Sequence, residues 1–492
     1  MRAIGSLRPR GRGVRALAAA VTAVMAGMTA GLWPPVAGDA AAAGVTRVAG
    51  SWGRAIKVPG LGALNTGGLA EVMSVSCGSA GNCAAGGFYL TRTAGHGFVA
   101  VERDGVWGRA AEVPGLAALN TGRDARVFSV SCGSAGNCAV GGFYTDSGGG
   151  HQGFVAVEQH GVWGTAIEVP GLAALNTNRD AEVFSVSCAS AGNCVAGGKY
   201  VGGSHLHGFV AGERNGVWGK AAEVPGLAAL DGGGDATVLS VSCASAGNCA
   251  AGGSYHIDHH HQGFVADERN GRWGTAIAVP GLAALNTGGQ AIVNTVSCAK
   301  AGSCAAGGAY RDRHFHSRAF VAVEQNGVWR RAIGVPGLGT LNKGGNAQVT
   351  SVSCGAAGDC AAGGNYLDQH GHEQGFVAAE RHGRWGQAIA VPGLRALNTG
   401  GLGGVTSVSC ASAGNCAAGG GYNRRGLQGF VAVERNGRWG TAIEVPGLAA
   451  LNTGGNALVQ SVSCAPTGTC AAGGDYADAP DNFQGFVVNQ TG

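Results

Sequence analysis

Charged side chains are scarce in this sequence. Asp, Glu, Lys and Arg make up 13% of its 492 residues, about half the usual share in globular proteins. Five arginines and one aspartate lie within the first 42 residues, so the rest of the chain carries 28 basic and 28 acidic residues and no net charge. This balance gives no basic surface, and we predict neither a nucleic-acid partner nor an anionic membrane surface as partner.

A sustained helical period and the common catalytic motifs are also missing. The sequence contains no G-x-S-x-G, no H-E-x-x-H and no phosphate-binding loop, which argues against the enzymes built on those motifs. An enzyme needs one asymmetric set of reactive groups. The repeated parts of this chain are nearly identical, so we expect asymmetry to be confined to loops and lean against catalysis.

The first 42 residues are predicted to be a signal peptide. An apolar stretch occupies residues 16–33, and small residues follow near Ala40, as in secretory signals. The basic residues before the apolar stretch are Arg2, Arg8, Arg10, Arg12 and Arg15. We therefore expect a secreted, extracellular protein with a short linker at 43–50; an uncleaved membrane anchor is the alternative.

What the sequence has in abundance is glycine, 94 residues, and cysteine, 16 residues, both in a repeating pattern. The cysteines form eight C-x5-C pairs that recur every 54 to 56 residues. They are Cys77/Cys83, Cys132/Cys138, Cys188/Cys194, Cys243/Cys249, Cys298/Cys304, Cys354/Cys360, Cys410/Cys416 and Cys464/Cys470. A period of this length indicates a propeller or another repeat array.

Each repeat contains four strand-like segments. In the seventh repeat they are 404–410, 416–422, 429–434 and 438–445, rich in Val, Ala and Phe. The dipeptide Asn436-Gly437 between the last two is a strong hairpin signal. One helical turn at most is expected, in the "GLAAL" segment. Four short strands repeated eight times predict an all-β, eight-bladed β-propeller.

The two ends of the repeat region complement each other. Residues 51–58 form a fourth strand without the three before it, and the chain ends after a third strand. We therefore predict one domain, 51–492, closed by pairing the N-terminal strand with the last blade. The alternative, an open β array, would leave exposed strand edges.

The repeat unit resembles the kelch repeat, in which an apolar strand ends in Gly-Gly and a Trp follows farther along. The glycine pairs are Gly86-Gly87, Gly141-Gly142, Gly197-Gly198, Gly252-Gly253, Gly307-Gly308, Gly363-Gly364, Gly419-Gly420 and Gly473-Gly474. The tryptophans are Trp52, Trp107, Trp163, Trp218, Trp273, Trp329, Trp385 and Trp439. The chain is also similar to uncharacterised secreted repeat proteins of actinobacteria. The resemblance implies blade topology; the cysteine pair is not a kelch feature.

The cysteine pairs are predicted to be disulfides. An even count, strict pairing and a secretory signal favour bridges. Structural zinc usually needs a shorter spacing with two further ligands, and redox pairs are more often C-x-x-C. Across a five-residue hairpin the two cysteines can face each other, and each bridge should stabilise by about 2 kcal/mol.

Variable loops after the repeat tyrosine hold 12 of the 14 histidines, and variable loops on a rigid scaffold commonly bind ligands. Four consecutive repeats carry an H-x-H: His205/His207, His259/His261, His314/His316 and His370/His372. These are candidates for a weak divalent metal site; no other cofactor is expected. Candidate ligand-binding residues are His205, His207, His260, His316 and His372. Solvated loop residues without a ligand are the plainer interpretation.

The "LNTGG" connections are the second candidate, with Asn286 and Asn452 as representatives of one asparagine per repeat. Their plainer role is turn chemistry. We predict a monomeric, non-catalytic binding or scaffold propeller that recognises a carbohydrate, a cell-wall polymer or a protein through variable loops on one face. The alternatives are a propeller polysaccharide hydrolase or lyase, and a copper-type oxidase that uses the loop histidines.

Overall fold

The computed structural model describes residues 51–491, and the predicted signal peptide and linker lie outside them. Eight antiparallel sheets are arranged in a ring; seven have their strands in sequential order from the centre outwards, and the eighth takes its outer strand from the N-terminal segment. This confirms the predicted eight-bladed propeller. Blades are numbered 1 to 8 from Cys77/Cys83 to Cys464/Cys470.

The three inner strands of each blade are long. The first strands span Ala70–Ser79, Ala125–Ser134, Glu182–Ser190, Ala236–Ser245, Ala291–Lys300, Ala347–Ala356, Gly403–Ser412 and Ala457–Cys464. The second strands span Asn82–Leu90, Asn137–Thr145, Asn193–Gly202, Asn248–Ile257, Ser303–Arg311, Asp359–Leu367, Asn415–Asn423 and Cys470–Ala479. The third strands span Gly95–Arg103, His151–Gln159, His205–Arg214, His260–Arg269, Ser317–Gln325, Glu373–Arg381, Leu427–Arg435 and Asn482–Asn489.

The outermost strand is split into two short parts, where the sequence predicts one continuous strand. The first parts are Val106–Trp107, Val162–Trp163, Val217–Trp218, Arg272–Trp273, Val328–Trp329, Arg384–Trp385 and Arg438–Trp439. The second parts are Ile56–Lys57, Ala111–Glu112, Ile167–Glu168, Ala222–Glu223, Ile277–Ala278, Ile333–Gly334, Ile389–Ala390 and Ile443–Glu444. Between the parts the backbone leaves its own blade: Ala442 N donates to Pro392 O of the preceding connection at 2.7 Å.

One helical turn follows the proline of each connection, as predicted. These turns are Leu61–Leu64, Leu116–Leu119, Leu172–Leu175, Leu227–Asp231, Leu282–Leu285, Leu338–Leu341, Leu394–Leu397 and Leu448–Leu451. Their first leucines are buried between blades. No helix among the described residues is long and apolar enough to cross a membrane.

The ring closes as the sequence predicts. Ile56–Lys57 pairs antiparallel with the third strand of blade 8, opposite Val487 and Phe486. Ala55 N donates to Pro446 O at 2.7 Å, the same inter-blade bond that the other blades make. The N-terminal segment therefore supplies the outer strand of the last blade.

A belt of hydroxyl groups joins the innermost strands. In blade 1, Ser74 Oγ and Ser76 Oγ accept hydrogen bonds from Val130 N and Cys132 N of blade 2, at 3.0 and 2.9 Å. The pattern recurs around the ring and includes the closing interface, where Cys77 N donates to Ser463 Oγ. Innermost strands are sheet edges, and these bonds satisfy N–H groups that an edge strand leaves unpaired.

The predicted disulfides are confirmed in every blade. Each joins directly paired residues of the first and second strands, with Cα atoms 3.9 to 4.0 Å apart. The bridges are Cys77–Cys83, Cys132–Cys138, Cys188–Cys194, Cys243–Cys249, Cys298–Cys304, Cys354–Cys360, Cys410–Cys416 and Cys464–Cys470. Disulfides in this number are typical of proteins in an oxidising environment.

The second cysteine of each bridge is buried in the hydrophobic core of its blade. These cysteines are at most 7% exposed: Cys83, Cys138, Cys194, Cys249, Cys304, Cys360, Cys416 and Cys470. The bridges therefore belong to the core packing, as expected of structural disulfides. The repeat tyrosines and tryptophans pack within the same cores, as Tyr422 and Trp107 show.

Candidate functional site

The propeller has two different faces. On one face, the loops between second and third strands meet the connections between blades; we call this the loop face. Gly95 N, for example, donates to Arg123 O of the following connection at 2.9 Å. On the opposite, disulfide face, the cysteine hairpins meet the turns after the third strands, as in the bond from Gly105 N to Gly81 O.

The connection asparagines are built into the loop face. Asn286 is 4% exposed; its Nδ2 donates to His261 O at 2.9 Å and its Oδ1 accepts from Arg311 N of the next blade at 3.4 Å. Asn452 is 5% exposed and its Nδ2 donates to Leu427 O at 3.0 Å. Their amides join neighbouring blades, so the geometry makes them positioning residues for the loops.

The four equivalent loop histidines lie over the next connection. His260, His316 and His372 occupy the space in front of Gly289, Gly345 and Gly401, respectively. In blade 3, where that connection differs, His205 Nδ1 lies 3.6 Å from Asp235. Each of these rings therefore contacts the neighbouring blade.

The H-x-H pairs do not share one geometry. The rings of His314 and His316, and those of His370 and His372, lie side by side with centroids 6.0 Å apart. His207 instead stacks on a tyrosine, with its Nδ1 3.6 Å from Glu223.

The pair in blade 4 is divided by a turn. His259 has φ 64°, in the left-handed region, whereas His261 lies in the third strand and stacks near His256 at 4.8 Å. Burial and the charge of His256 lower the pKa of His261. The rings of His259 and His261 both lie near His256, at 6.5 and 4.8 Å between centroids, and do not lie side by side as in blades 5 and 6.

A different group has metal-ligand chemistry among the described residues: His151 of blade 2 with Asp180 and Glu182 of the next blade. His151 Nδ1 lies 3.2 Å from Glu182 and 3.8 Å from Asp180. However, Lys199 Nζ already lies 3.1 Å from Asp180 and 3.7 Å from Glu182. The lysine supplies the positive charge that a cation would bring, so these carboxylates already have a counter-ion.

The centre of the loop face is lined by residue pairs that differ in every blade. Each pair joins a residue six positions before the first cysteine to the residue after the glycine pair, directly opposite on the second strand. We call these the mouth pairs: Glu71 and Phe88, Arg126 and Phe143, Glu182 and Lys199, Thr237 and Ser254, Ile292 and Ala309, Gln348 and Asn365, Gly404 and Gly421, Leu458 and Asp475.

The mouth pairs form a continuous ring, since the second-strand member of one blade packs against the first-strand member of the next. The Arg126 guanidinium lies 4.5 Å from the centroid of the Phe88 ring. A Cβ on Gly421 would lie 2.7 Å from Leu458 Cδ1. By the same relation Asp475 of blade 8 faces Glu71 of blade 1.

Charge and aromatic rings are concentrated on one half of this mouth. Blades 8, 1, 2 and 3 contribute all five charged members of the mouth pairs, whereas blades 4 to 7 contribute small or neutral residues. Phe128 and Phe184, four residues before their cysteines, lie beside this charged half with ring centroids 6.1 Å apart. Lys199 Nζ lies 6.0 Å from the Phe184 ring.

The two carboxyl groups at the seam between blades 8 and 1 are electrostatically unusual. Burial raises the pKa of Asp475 to about 6, against the hydrogen bond from Gln460 Nε2 at 3.0 Å. Burial and the charge of Asp475 raise the pKa of Glu71 to about 8, although Arg126 opposes this. The two carboxyl groups therefore titrate as a pair, and both hold their protons to a higher pH than free carboxyl groups do.

The expectation that asymmetry is confined to loops is wrong, because the mouth pairs also differ from blade to blade. The residues of the mouth pairs belong to the first two strands, which look nearly invariant because their glycines, valines and cysteines are repeated. Aligning the eight repeats position by position shows the signal: the residues six before the cysteine and directly after Gly-Gly vary as much as the loops do.

No protein-family profile and no curated protein matches the chain. Among solved structures, Sqt1 from Chaetomium thermophilum is similar over 87% of this chain and 98% of its own, with 11% identity and a TM-score of 0.50. A polysaccharide lyase described as an ulvan lyase is similar over 73% and 90% (9% identity, TM-score 0.44), and the Hadza microbial sialidase Hz136 over 68% and 72% (11% identity, TM-score 0.34). Identities this low show the propeller fold alone.

Proposed function

We propose that this protein is a secreted, non-catalytic binding propeller that recognises an extracellular glycan, cell-wall polymer or protein on its loop face, with the mouth as the main contact. One observation carries the proposal: the repeats differ most at the mouth pairs and in the loops around them. Variation on an otherwise repeated scaffold is the pattern of a recognition surface. The kelch-like repeat and the likeness to secreted actinobacterial proteins agree with this.

The composition of the mouth suits a ligand with both polar and apolar groups. Arg126 and Lys199 are largely buried and paired with carboxylates, Arg126 with Asp124 and Lys199 with Asp180, and they place positive charge and further N–H donors at the mouth. Phe128 and Phe184 offer partly exposed rings. Recognition sites commonly combine a few oriented polar groups with aromatic surface. The loop histidines, which contact the neighbouring blades, form the rim of this site.

The proposal is tested by binding measurements with two matched variants. The probes are a panel of immobilised oligosaccharides and purified bacterial cell wall, with bound protein measured by fluorescence. Arg126→Ala combined with Lys199→Ala should weaken binding about tenfold or more, because charge-assisted hydrogen bonds are lost. Arg438→Ala, an exposed charge away from the loop face, should leave binding unchanged. Equal binding by the mouth variant would refute the mouth as the site.

A polysaccharide hydrolase or lyase is the second candidate, favoured by the Glu71 and Asp475 pair. Two neighbouring carboxyl groups whose pKa values are both raised by burial are the kind of pair that general acid–base catalysis uses. Incubation of the same polysaccharides with the protein, followed by reducing-end analysis, separates the two functions. Turnover that disappears in Glu71→Gln would replace the binding proposal, whereas binding without turnover supports it.

A further inference from the structure

The disulfide face contains a ring of buried glutamates, one near the end of the third strand in blades 1 to 7. In the strand register each lies opposite or near the second cysteine of its blade, as Glu434 lies opposite Cys416. All seven are at most 3% exposed: Glu102, Glu158, Glu213, Glu268, Glu324, Glu380 and Glu434. Seven carboxylates in such positions need a positive charge or hydrogen-bond donors nearby, because an unpaired buried charge is costly.

In four cases the preceding blade supplies an arginine. Arg381 donates to Glu434 at 2.5 Å and Arg269 donates to Glu324 at 3.0 Å. The other two pairs are Arg214 with Glu268 and Arg103 with Glu158, the last an ion pair at 3.7 Å with no hydrogen bond to the carboxylate. Each of these guanidinium groups crosses the blade boundary and lies beside the disulfide of the next blade. We call the space next to each buried glutamate a slot.

The filled slots also offer a second acceptor. Arg269 donates to Gly327 O as well as to Glu324, and Arg103 donates to Gly161 O. Both glycines lie in the turn that follows the buried glutamate. A slot therefore presents a carboxylate and a carbonyl together, which matches the planar, forked donors of a guanidinium group.

Three slots have no arginine; in blade 1 the amide of Asn489 donates to Glu102 in its place, which leaves the slots of Glu213 and Glu380. Gln159 of blade 2 and Gln325 of blade 5 stand where blades 1, 3, 4 and 6 carry the arginine that fills the next slot, and neither Glu213 nor Glu380 has an ion-pair partner among the described residues. Glu213 is fully buried and both of its carboxylate oxygens lack a hydrogen-bond donor. Gln159 is exposed and lies in front of Gly216, and Gln325 Nε2 donates to Gly383 O at 3.1 Å, so these two glutamine side chains are the groups that would move to admit a ligand.

We infer that these two slots are receptor sites for guanidinium groups, and that the disulfide face docks a polypeptide partner through its arginine side chains. The protein itself shows how such a group is held, in the four slots filled from within. It uses arginine in all four and lysine in none. Glu213 and Glu380 lie in blades 3 and 6, so the two sites occupy separated parts of the ring and favour a partner with at least two arginines.

The test uses L-argininamide as the probe, titrated into the folded protein at pH 8 and followed by calorimetry. The variant Glu213→Gln/Glu380→Gln should weaken binding about tenfold, because it removes a charged acceptor from each site. The variant Gln159→Arg/Gln325→Arg should weaken it equally, because it fills both slots as in the other blades. Glu434→Gln, in a filled slot, should leave the affinity of argininamide unchanged.

Thermal unfolding separates loss of the site from loss of the fold. The arginine-filled variant should unfold at a higher temperature than the wild type, so its weaker binding would come from an occupied slot. Lysinamide should bind more weakly than argininamide. The inference is overturned if the wild type does not bind argininamide, or if either double variant binds it as the wild type does. Binding to the loop face is not involved, so this result stands apart from that of the mouth variants.

Discussion

At the scale of single residues, the glycine pair in each blade has two separate roles. A Cβ on the first glycine of blade 1, Gly86, would lie 2.6 Å from Val130 of the next blade. A Cβ on the second, Gly87, would lie 1.9 Å from the Glu71 carbonyl oxygen, where the first strand has a bulge after Val72. The first glycine therefore allows blades to approach, and the second accommodates the bulge.

Gly87→Ala should destabilise the protein by roughly 3 kcal/mol or more, because the added methyl group meets rigid backbone. Gly339→Ala is the matched control: this glycine lies in a helical turn with nothing within 4 Å of its Cβ position. That change should be neutral or stabilise by up to about 1 kcal/mol. Chemical denaturation measures both; similar effects for the two would contradict the steric argument.

A second residue-scale prediction concerns pH. Burial raises the pKa of Glu213 from 4.5 to about 7. A raised carboxyl pKa means that stability is fully present below pH 4.5 and is lost as the pH rises through 7. Glu213→Gln should therefore stabilise the protein at pH 8, by at most about 3 kcal/mol, and have little effect at pH 4.

Glu434→Gln provides the contrast, because this carboxylate pairs with Arg381. Burial raises the pKa of Glu434, whereas the charge of Arg381 and its hydrogen bond lower it, so Glu434→Gln should stabilise the protein at pH 8 by less than Glu213→Gln does. Thermal unfolding of both variants across pH 4 to 8 checks the pair. A gain for Glu434→Gln as large as that for Glu213→Gln would show that the arginine does not compensate the buried charge.

At the scale of elements, the serines of the first strand carry the contact between blades. Ser76→Ala removes the acceptor for Cys132 N and leaves a buried N–H group unpaired. We expect a loss of about 1–3 kcal/mol in the free energy of unfolding. Ser74→Thr should be nearly neutral, because Thr295 already accepts from Val352 N at the equivalent position in blade 5.

The elements also show how far sequence reasoning reaches. The first three strands, the helical turn and the hairpin at Asn436-Gly437, with φ 48° and 78°, follow from alternation and turn chemistry. The break in the outer strand does not, because it depends on Ala442 bonding to another blade. Sequence reasoning misses the serine belt and the arginine-filled slots for the same reason, because the hydrogen-bonding partner of each residue lies one repeat away.

At the scale of the whole molecule, closure rests on a short segment. Besides Ile56–Lys57, Gly53 N donates to Asn489 O at 2.7 Å and Val58 N to Gly485 O at 3.0 Å. A chain that begins at Pro59 would lose these bonds and expose the third strand of blade 8 as a sheet edge. We expect a lower unfolding temperature and self-association.

Size-exclusion chromatography and calorimetry of the shortened chain, beside a chain that begins at residue 43, check this. An added peptide of residues 51–58 should partly restore the unfolding temperature, because it can pair with the open edge. A shortened chain that stays monomeric and equally stable would show that blade contacts alone hold the ring.

The candidate site was harder to predict from the sequence than the fold, because several blades build it together. Comparison of the repeats shows which loops vary, and it correctly marked the face that these loops share with the connections between blades. The charged half of the mouth exists only when blades 8, 1, 2 and 3 are brought together. Asp475 and Glu71 are 404 residues apart in sequence, and only ring closure makes them neighbours.

The two ends of the described propeller touch: Thr491 N donates to Ser51 O at 2.7 Å, and their hydroxyl groups lie 2.8 Å apart. Joined ends would therefore need no added linker, and the ring has no fixed starting point. Circular permutants that open at any exposed connection between blades should fold to the same propeller. Cleavage and religation could then place new termini, and any domain fused to them, beside whichever blade is chosen.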